Sequence, residues 1–196
     1  CGAQQDKGPF NLGICWPHDF EFKAYTPSRW GNQPFLRVNI AGYRYSNETL
    51  GSHEWYSTSP MCLADMKQPG HTGYQVCDSK YAQLLGEDDA AIFDDCVERG
   101  IIYKADTLEE LADVMGFSDE EKKTFLATVE RYNKLYEQGE DVDFGKPMYR
   151  MSSVSQPPFY AARIAGTMLA TMHGIITKGG EVVNAVPDDV EMEYTV

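Results

Sequence analysis

A chain of 196 residues is long enough for one domain with a buried core and an appendage. A formal charge of −13 argues against nucleic acid and against an anionic membrane surface as partners. No apolar run reaches the roughly 18 residues that a membrane span needs, so no membrane span is expected.

Five cysteines occur, at Cys1, Cys15, Cys62, Cys77 and Cys96. None forms a Cys-x-x-Cys pair and the number is odd, so neither a metal site nor a disulfide framework is expected, and reduced thiols are. Cys1 followed by Gly2 fits either an acylated start or a cut within a longer chain, and the cut is the expectation.

Residues 1–33 are rich in Gly, Pro and aromatics without a sustained period, which predicts an irregular segment. Its aromatics, among them Phe10, Trp16, Phe20 and Trp30, suit packing or the lining of a cleft. Phe35–Ile40 and Tyr43–Glu48 read as strands joined by a turn containing Gly42, a β-hairpin. A helix is expected within Thr49–Gln68 and a buried strand over Gly73–Cys77, after which Asp78 would cap a helix. Glu87–Arg99 reads as an acidic amphipathic helix with Ile92, Phe93 and Cys96 inward, and Ile101–Tyr103 as a short strand.

Two capped helices follow. Thr107 with Glu110, and Ser118 with Glu121, each have the spacing of a capping box. The first helix would bury Leu108, Leu111, Ala112 and Met115 and end at Gly116. The second would bury Phe125, Val129, Tyr132 and Tyr136 and end at Gly139. After a loop with Gly145 and Pro147, Phe159–Ile164 is strand-like, and Lys178-Gly179-Gly180 would turn a hairpin. The pattern predicts an α+β fold: a small, mostly antiparallel sheet with helices packed on one side, chiefly the Thr107–Gly139 pair.

The order of Ala105–Ala112, Thr128–Asn133, Asp143–Pro147, Pro157–Tyr160 and Leu169–Gly174 resembles the fumarate reductase-like flavoproteins. That FAD-dependent family includes soluble fumarate reductases, urocanate reductase and ketosteroid dehydrogenases. The resemblance runs from about Pro34 to Asn184 and covers the family's substrate-capping domain and a short return toward the flavin domain. It implies a capping domain over 34–165 and a return segment over 166–196. It also implies two partners, the FAD-binding domain of the same parent chain and a small-molecule substrate. FAD would belong to the full-length protein, with none held by this chain alone. Asn47-Glu48 matches the family's Asn-Glu pair, which makes Glu48 a candidate for proton relay; the residue types alone also allow it to begin a helix. Thr171, Met172 and Gly174 match the run that passes the flavin ring and are the candidate cofactor contacts. No metal ligands are implied.

The departures are as informative. Where the family's fumarate reductases carry their catalytic Arg, this chain has Ala82, beside Lys80 and Tyr81. Tyr81 is a candidate substitute, provided that its pKa is depressed. Gly51, Ser52 and His53 stand where a relay Arg is expected, and Leu169 and Ala170 where the family has paired His. His173 occupies what is usually a Gly, and is a candidate catalytic group. The chain has no Gly-x-Gly-x-x-Gly turn. The expected function is therefore the cap of an FAD-dependent reductase or dehydrogenase whose substrate is not a small dicarboxylate. The alternative is a free-standing binding module that kept the cap fold without redox activity. Cytoplasmic and exported locations are both open.

Overall fold

A computed structural model describes residues 12–17, 35–49, 64–170, 177–179 and 181–182; for 12–17, 89, 166–170, 177 and 182 the backbone alone is described. The centre is a five-stranded antiparallel sheet in the order β1 (Leu12–Pro17), β5 (Phe159–Ala170), β3 (Thr72–Asp78), β2 (Leu36–Asn39), with β4 (Ile102–Ala105) also on β5. The long strand β5 organises it. One edge of β5 pairs with β3, from Phe159↔Asp78 to Ala165↔Thr72. Its other edge takes β4 first, through Phe159–Ala162, and then β1, through Ile164–Ala170. A separate two-stranded ladder joins β6 (Thr177–Lys178) to β7 (Glu181–Val182), in line with the expected Lys178-Gly179 turn.

Successive side chains of a strand point to opposite faces, and both faces of this sheet are covered. On one, Leu36, Val38, Tyr74, Val76, Phe159 and Ala161 pack under α3 (Leu108–Val114) and α4 (Asp119–Gln138). On the other, Phe35, Cys77, Tyr160, Ala162 and Ile102 meet Phe93 and Cys96 of α2 (Glu87–Glu98), next to the short α1 (Tyr81–Leu84). The architecture is α+β as expected, with the α3–α4 pair on one face. The acidic helix α2 adds a cover to the opposite face, because the inward side chains Phe93 and Cys96 match the apolar residues that alternate strand positions leave there.

Both helix starts form as the sequence predicts, one completely. Ser118 Oγ accepts from the Glu121 amide and Glu121 Oε2 accepts from the Ser118 amide, a closed capping box. Thr107 Oγ1 accepts from the Glu110 amide, but Glu110 reaches back to the amide of Asp106 rather than to that of Thr107. Gly139 ends α4 at φ +77°, with the Glu140 amide donating to Leu135 O. Within α4 the buried stripe is Phe125, Val129, Tyr132 and Leu135; Tyr136 is 40% exposed, so Leu135 takes the place expected for it.

Three further expectations change. Residues 12–17, inside the segment read as irregular, form strand β1; a single strand paired to the far end of β5 needs no long apolar period of its own. β5 runs unbroken through the expected boundary at 165/166. The 43–48 segment is not a strand: it keeps one bridge, Val38↔Arg44, and then leaves the sheet edge. The turn before it is tight. Asn39 Oδ1 accepts from the amides of Ala41 and Tyr43, and Gly42, at φ +83°, lies against α4. A Cβ at Gly42 would stand 2.7 Å from both Glu121 O and the Phe125 amide nitrogen, so only glycine allows this approach.

Candidate functional site

The most organised polar site lies where the 43–48 segment meets the loop after α4. Arg44 leaves the sheet edge because two carboxylates hold it. Its Nε and Nη2 donate to Glu48 at 2.9 and 3.0 Å, and Nη1 and Nη2 donate to Asp141 at 3.0 and 2.7 Å. Lys146 Nζ completes the group, 3.0 Å from Glu48 Oε2 and donating to Phe35 O and Tyr132 Oη at 3.1 Å each. Three acceptors thus match the three protons of an ammonium. All four charged side chains are almost completely buried. Two anions and two cations make the cluster neutral, which is how four charges can leave water together.

The carboxylates also clamp backbone. Glu48 Oε1 accepts from the Arg37 amide at 3.3 Å, fixing the 43–48 segment to β2. Asp141 accepts from the amides of Asp143, Phe144 and Lys146 and so closes the loop on itself. The Arg44 guanidinium lies between the rings of Tyr132 and Phe144, 5.0 and 4.9 Å from their centroids.

Electrostatics follow from this geometry. Burial alone would raise the pKa of Glu48; Lys146 and Arg44 outweigh it and hold the carboxyl below the ordinary glutamate range. Asp141 is likewise lowered, with burial opposed by the Arg44 hydrogen bonds and by the Lys146 amide. Burial pulls Lys146 down against the attraction of Glu48. Burial, with the nearby Glu48 charge, pushes the Tyr132 hydroxyl up. A relay must take and return a proton near working pH. Glu48, the relay candidate, also ties three chain segments together, through the Arg37 amide, Arg44 and Lys146.

Tyr81 stands on the other face of the sheet. Its ring stacks on Phe93 at 4.0 Å and meets Tyr160 edge-on at 5.1 Å, and its hydroxyl donates to Asp94. Burial and that carboxylate push its pKa up, the reverse of the depression a proton donor requires. Asp78 does not cap α1. It accepts from the amides of Lys80, Ser155 and Gln156, and pairs with Lys80 Nζ, pinning the segment before β5 to the end of β3. The helix therefore starts at Tyr81 without a side-chain cap, and Ala82 lies exposed on it. Glu48 and Tyr81 thus lie on separate parts of the molecule. His173, Thr171, Met172 and Gly174 lie outside the described residues, as does His53.

Sequence reasoning singled out Glu48 but missed its partners. Arg44 and Asp141 are 97 residues apart, and Lys146 and Phe35 are 111 apart, so no local period announces them. The available signal was compositional: charged residues at 44, 141 and 146 inside turn-forming stretches, where only long-range pairing could bury them. On the second face, Arg37 pairs with Asp65 at 3.2 Å, both buried, and Tyr45 Oη donates to the same carboxylate. Among the described residues no group of His, Cys, Asp and Glu is placed to hold a metal ion, and no helix is long and apolar enough to cross a membrane.

No family profile matches the chain. Individual proteins do. The NADH:fumarate oxidoreductase of Klebsiella pneumoniae (strain 342) is 30% identical over 160 residues, covering 81% of this chain and 16% of that protein. A 3-oxosteroid 1-dehydrogenase of Mycolicibacterium smegmatis is 34% identical over 165 residues, 71% of this chain and 28% of that protein. Among solved structures, the 3-ketosteroid delta1-dehydrogenase of Sterolibacterium denitrificans superposes with a TM-score of 0.69 at 19% identity, over 93% of this chain and 36% of that one. The open form of a flavocytochrome c3 fumarate reductase gives 0.64 at 24% identity, over 88% and 28%. At these identities the structural likeness speaks for the fold alone. The chain spans well under half of each of these four proteins, and its homologues are the fumarate reductase-like flavoproteins, FAD-dependent oxidoreductases to one segment of which it corresponds.

Proposed function

We propose that this chain is the substrate cap of an FAD-dependent oxidoreductase, closing over a flavin held by another part of the same protein. The observation that carries the reading is the contiguous match of about four-fifths of the chain to one segment of much larger flavoenzymes. The described residues contain no glycine-rich strand–turn–helix to cradle a pyrophosphate, and the three positions expected beside the flavin lie outside them. The flavin, when bound, supplies the hydride chemistry. This chain's part is to cover the site, exclude water and orient substrate.

In that role the buried Glu48–Arg44–Asp141–Lys146 cluster fixes the 43–48 segment and the loop after α4 to β2, and Glu48 stays the candidate for proton relay. Tyr81 and His173 remain the candidates for touching substrate, Tyr81 as a ring contact since its hydroxyl is engaged by Asp94. Ala82, Leu169 and Ala170 offer no cation to a substrate carboxylate. The substrate is therefore larger and less charged than a C4 dicarboxylate. Relatives span fumarate, vinyl phenol and 3-oxosteroid chemistry by name, which supplies the panel for a test.

The experiment uses full-length protein reconstituted with FAD and compares turnover of fumarate, 4-vinylphenol and a 3-oxosteroid. Flavin absorbance is expected, with kcat/KM for fumarate at least roughly 100-fold below the best of the others, the scale of losing one transition-state donor. A full-length protein that takes up no flavin overturns the oxidoreductase reading. Fumarate as the preferred substrate overturns the substrate class alone.

A further inference from the structure

A groove of about 530 Å³ runs along the outer side of α4, between that helix, the Gly42 turn and the 141–146 loop. Its size falls within the roughly 300–1,000 Å³ of small-molecule sites. It lies on α4, across the sheet from Tyr81. Its floor is made of small side chains, Thr124, Ala127 and Thr128, spaced three and four residues apart on one helix face. Its walls are the rings of Tyr43 and Phe144, 59% and 39% exposed, with Leu135 between helix and loop.

The wall is built in advance of any ligand. Asp141 holds the amides of Asp143 and Phe144, and Arg44 packs on the Phe144 ring. A flat molecule entering beside Phe144 meets a loop already ordered, which reduces the entropy lost on binding.

The charges set the ligand class. Arg44, Lys123 and Arg131 line the groove against one carboxylate, Asp143, in a chain whose net charge is −13. Arg131 is engaged with Asp143 through two hydrogen bonds of 3.0 and 2.7 Å, and Arg44 with Glu48 and Asp141. Lys123 has no hydrogen bond or ion pair among the described residues. One free ammonium beside an apolar, ring-walled floor suits a single negative charge on a flat hydrophobic body. A phosphate would call for several convergent donors.

We propose that this groove binds small aromatic carboxylates, the ring against Tyr43, Phe144 and Ala127 and the carboxylate on Lys123. The test titrates full-length protein with 2-naphthoate by isothermal calorimetry, with 2-naphthalenemethanol as the neutral counterpart. Saturable one-to-one binding of the naphthoate is expected. Lys123→Gln should weaken the naphthoate about tenfold, the scale of one charge-assisted hydrogen bond, and leave the alcohol unchanged. Ala127→Phe, at an exposed position, should fill the floor and abolish binding of both while leaving flavin turnover at the wild-type rate. Absence of saturable binding at millimolar naphthoate, or naphthoate binding that survives Ala127→Phe, overturns the site. Equal affinity of wild type and Lys123→Gln overturns the ligand class.

Discussion

Two regions meet along α4 and are held by opposite physics. Beneath the helix, Phe125 and Val129 join Leu111, Ala112, Val38, Val76 and Ala161 in an apolar core. One turn further on, the Tyr132 ring still packs in that core, but its hydroxyl accepts from Lys146 at the border of the Glu48–Arg44–Asp141 cluster. The core is set by which helix face is apolar, and residues of similar shape can replace one another there at modest cost. The cluster is set by individual partners. Each of its charges is buried and faces an opposite charge of the cluster, so it has no graded response to change.

The sharpest way to break the comparison is to remove one charge. Glu48→Ala leaves Lys146 and Arg44 with one carboxylate between them in a buried setting. The expected loss is about 3–5 kcal/mol in urea denaturation. Removing Glu48 and Lys146 together, as Glu48→Leu with Lys146→Met, keeps the Arg44–Asp141 pair and should cost clearly less than the sum of the two single changes. Additive losses would mean that Glu48 and Lys146 contribute separately and that the cluster is not a unit.

Acid titration sharpens the same contrast at smaller amplitude. Glu48 and Asp141 have folded-state pKa values below the ordinary range. Their stabilisation is therefore complete above the unfolded carboxyl values of about 4 and is lost as pH falls through the lower folded values. Stability should be nearly flat from about pH 7 to 5 and drop below about pH 4. Glu48→Gln should begin lower and fall less steeply. A core truncation such as Leu111→Ala should lower the whole curve without changing its slope. Parallel curves for wild type and Glu48→Gln would show that the Glu48 proton is not linked to folding.

The same division explains what could be read from the chain. The α3–α4 pair was legible because its signals are local: cap residues three positions from their partners, apolar residues at helical spacing, and Gly116 and Gly139 at the ends. The buried strand Thr72–Asp78 was legible for the same reason. Strand β1 was not, since its pairing to Ile164–Ala170 is made some 150 residues away in sequence and its own composition looks like loop. Helical spacing predicts Tyr136 inward, but it lies outside, because Leu135 lines both the groove and the core. Its place before a helix makes Asp78 look like a cap. In the structure its oxygens meet amides at 155 and 156, partners that no window of a few residues contains. Glu48 was found through a matched pair of residues, but its electrostatic state depends on Arg44 and Lys146, and the chain order does not reveal that.

The smallest effect tests whether the two regions are joined through the start of α4. The Ser118 capping box holds the first turn of that helix, and Gly42 docks on that turn at Glu121 and Phe125. The Gly42 turn in turn leads into Arg44 and the cluster. Loss of the Ser118 hydroxyl should therefore fray a turn on which a tertiary contact rests. Thr107 caps the seven-residue α3 with a half-formed box and has no such load. Ser118→Ala should cost about 1 kcal/mol and Thr107→Ala about 0.5 kcal/mol. Ser118→Ala should also speed amide exchange at Ala41 and Tyr43, whose hydrogen bonds to Asn39 form the turn. If exchange there is unchanged while the helix start frays, the Gly42 turn is held by the ionic cluster alone, and the two regions are neighbours rather than one mechanical unit.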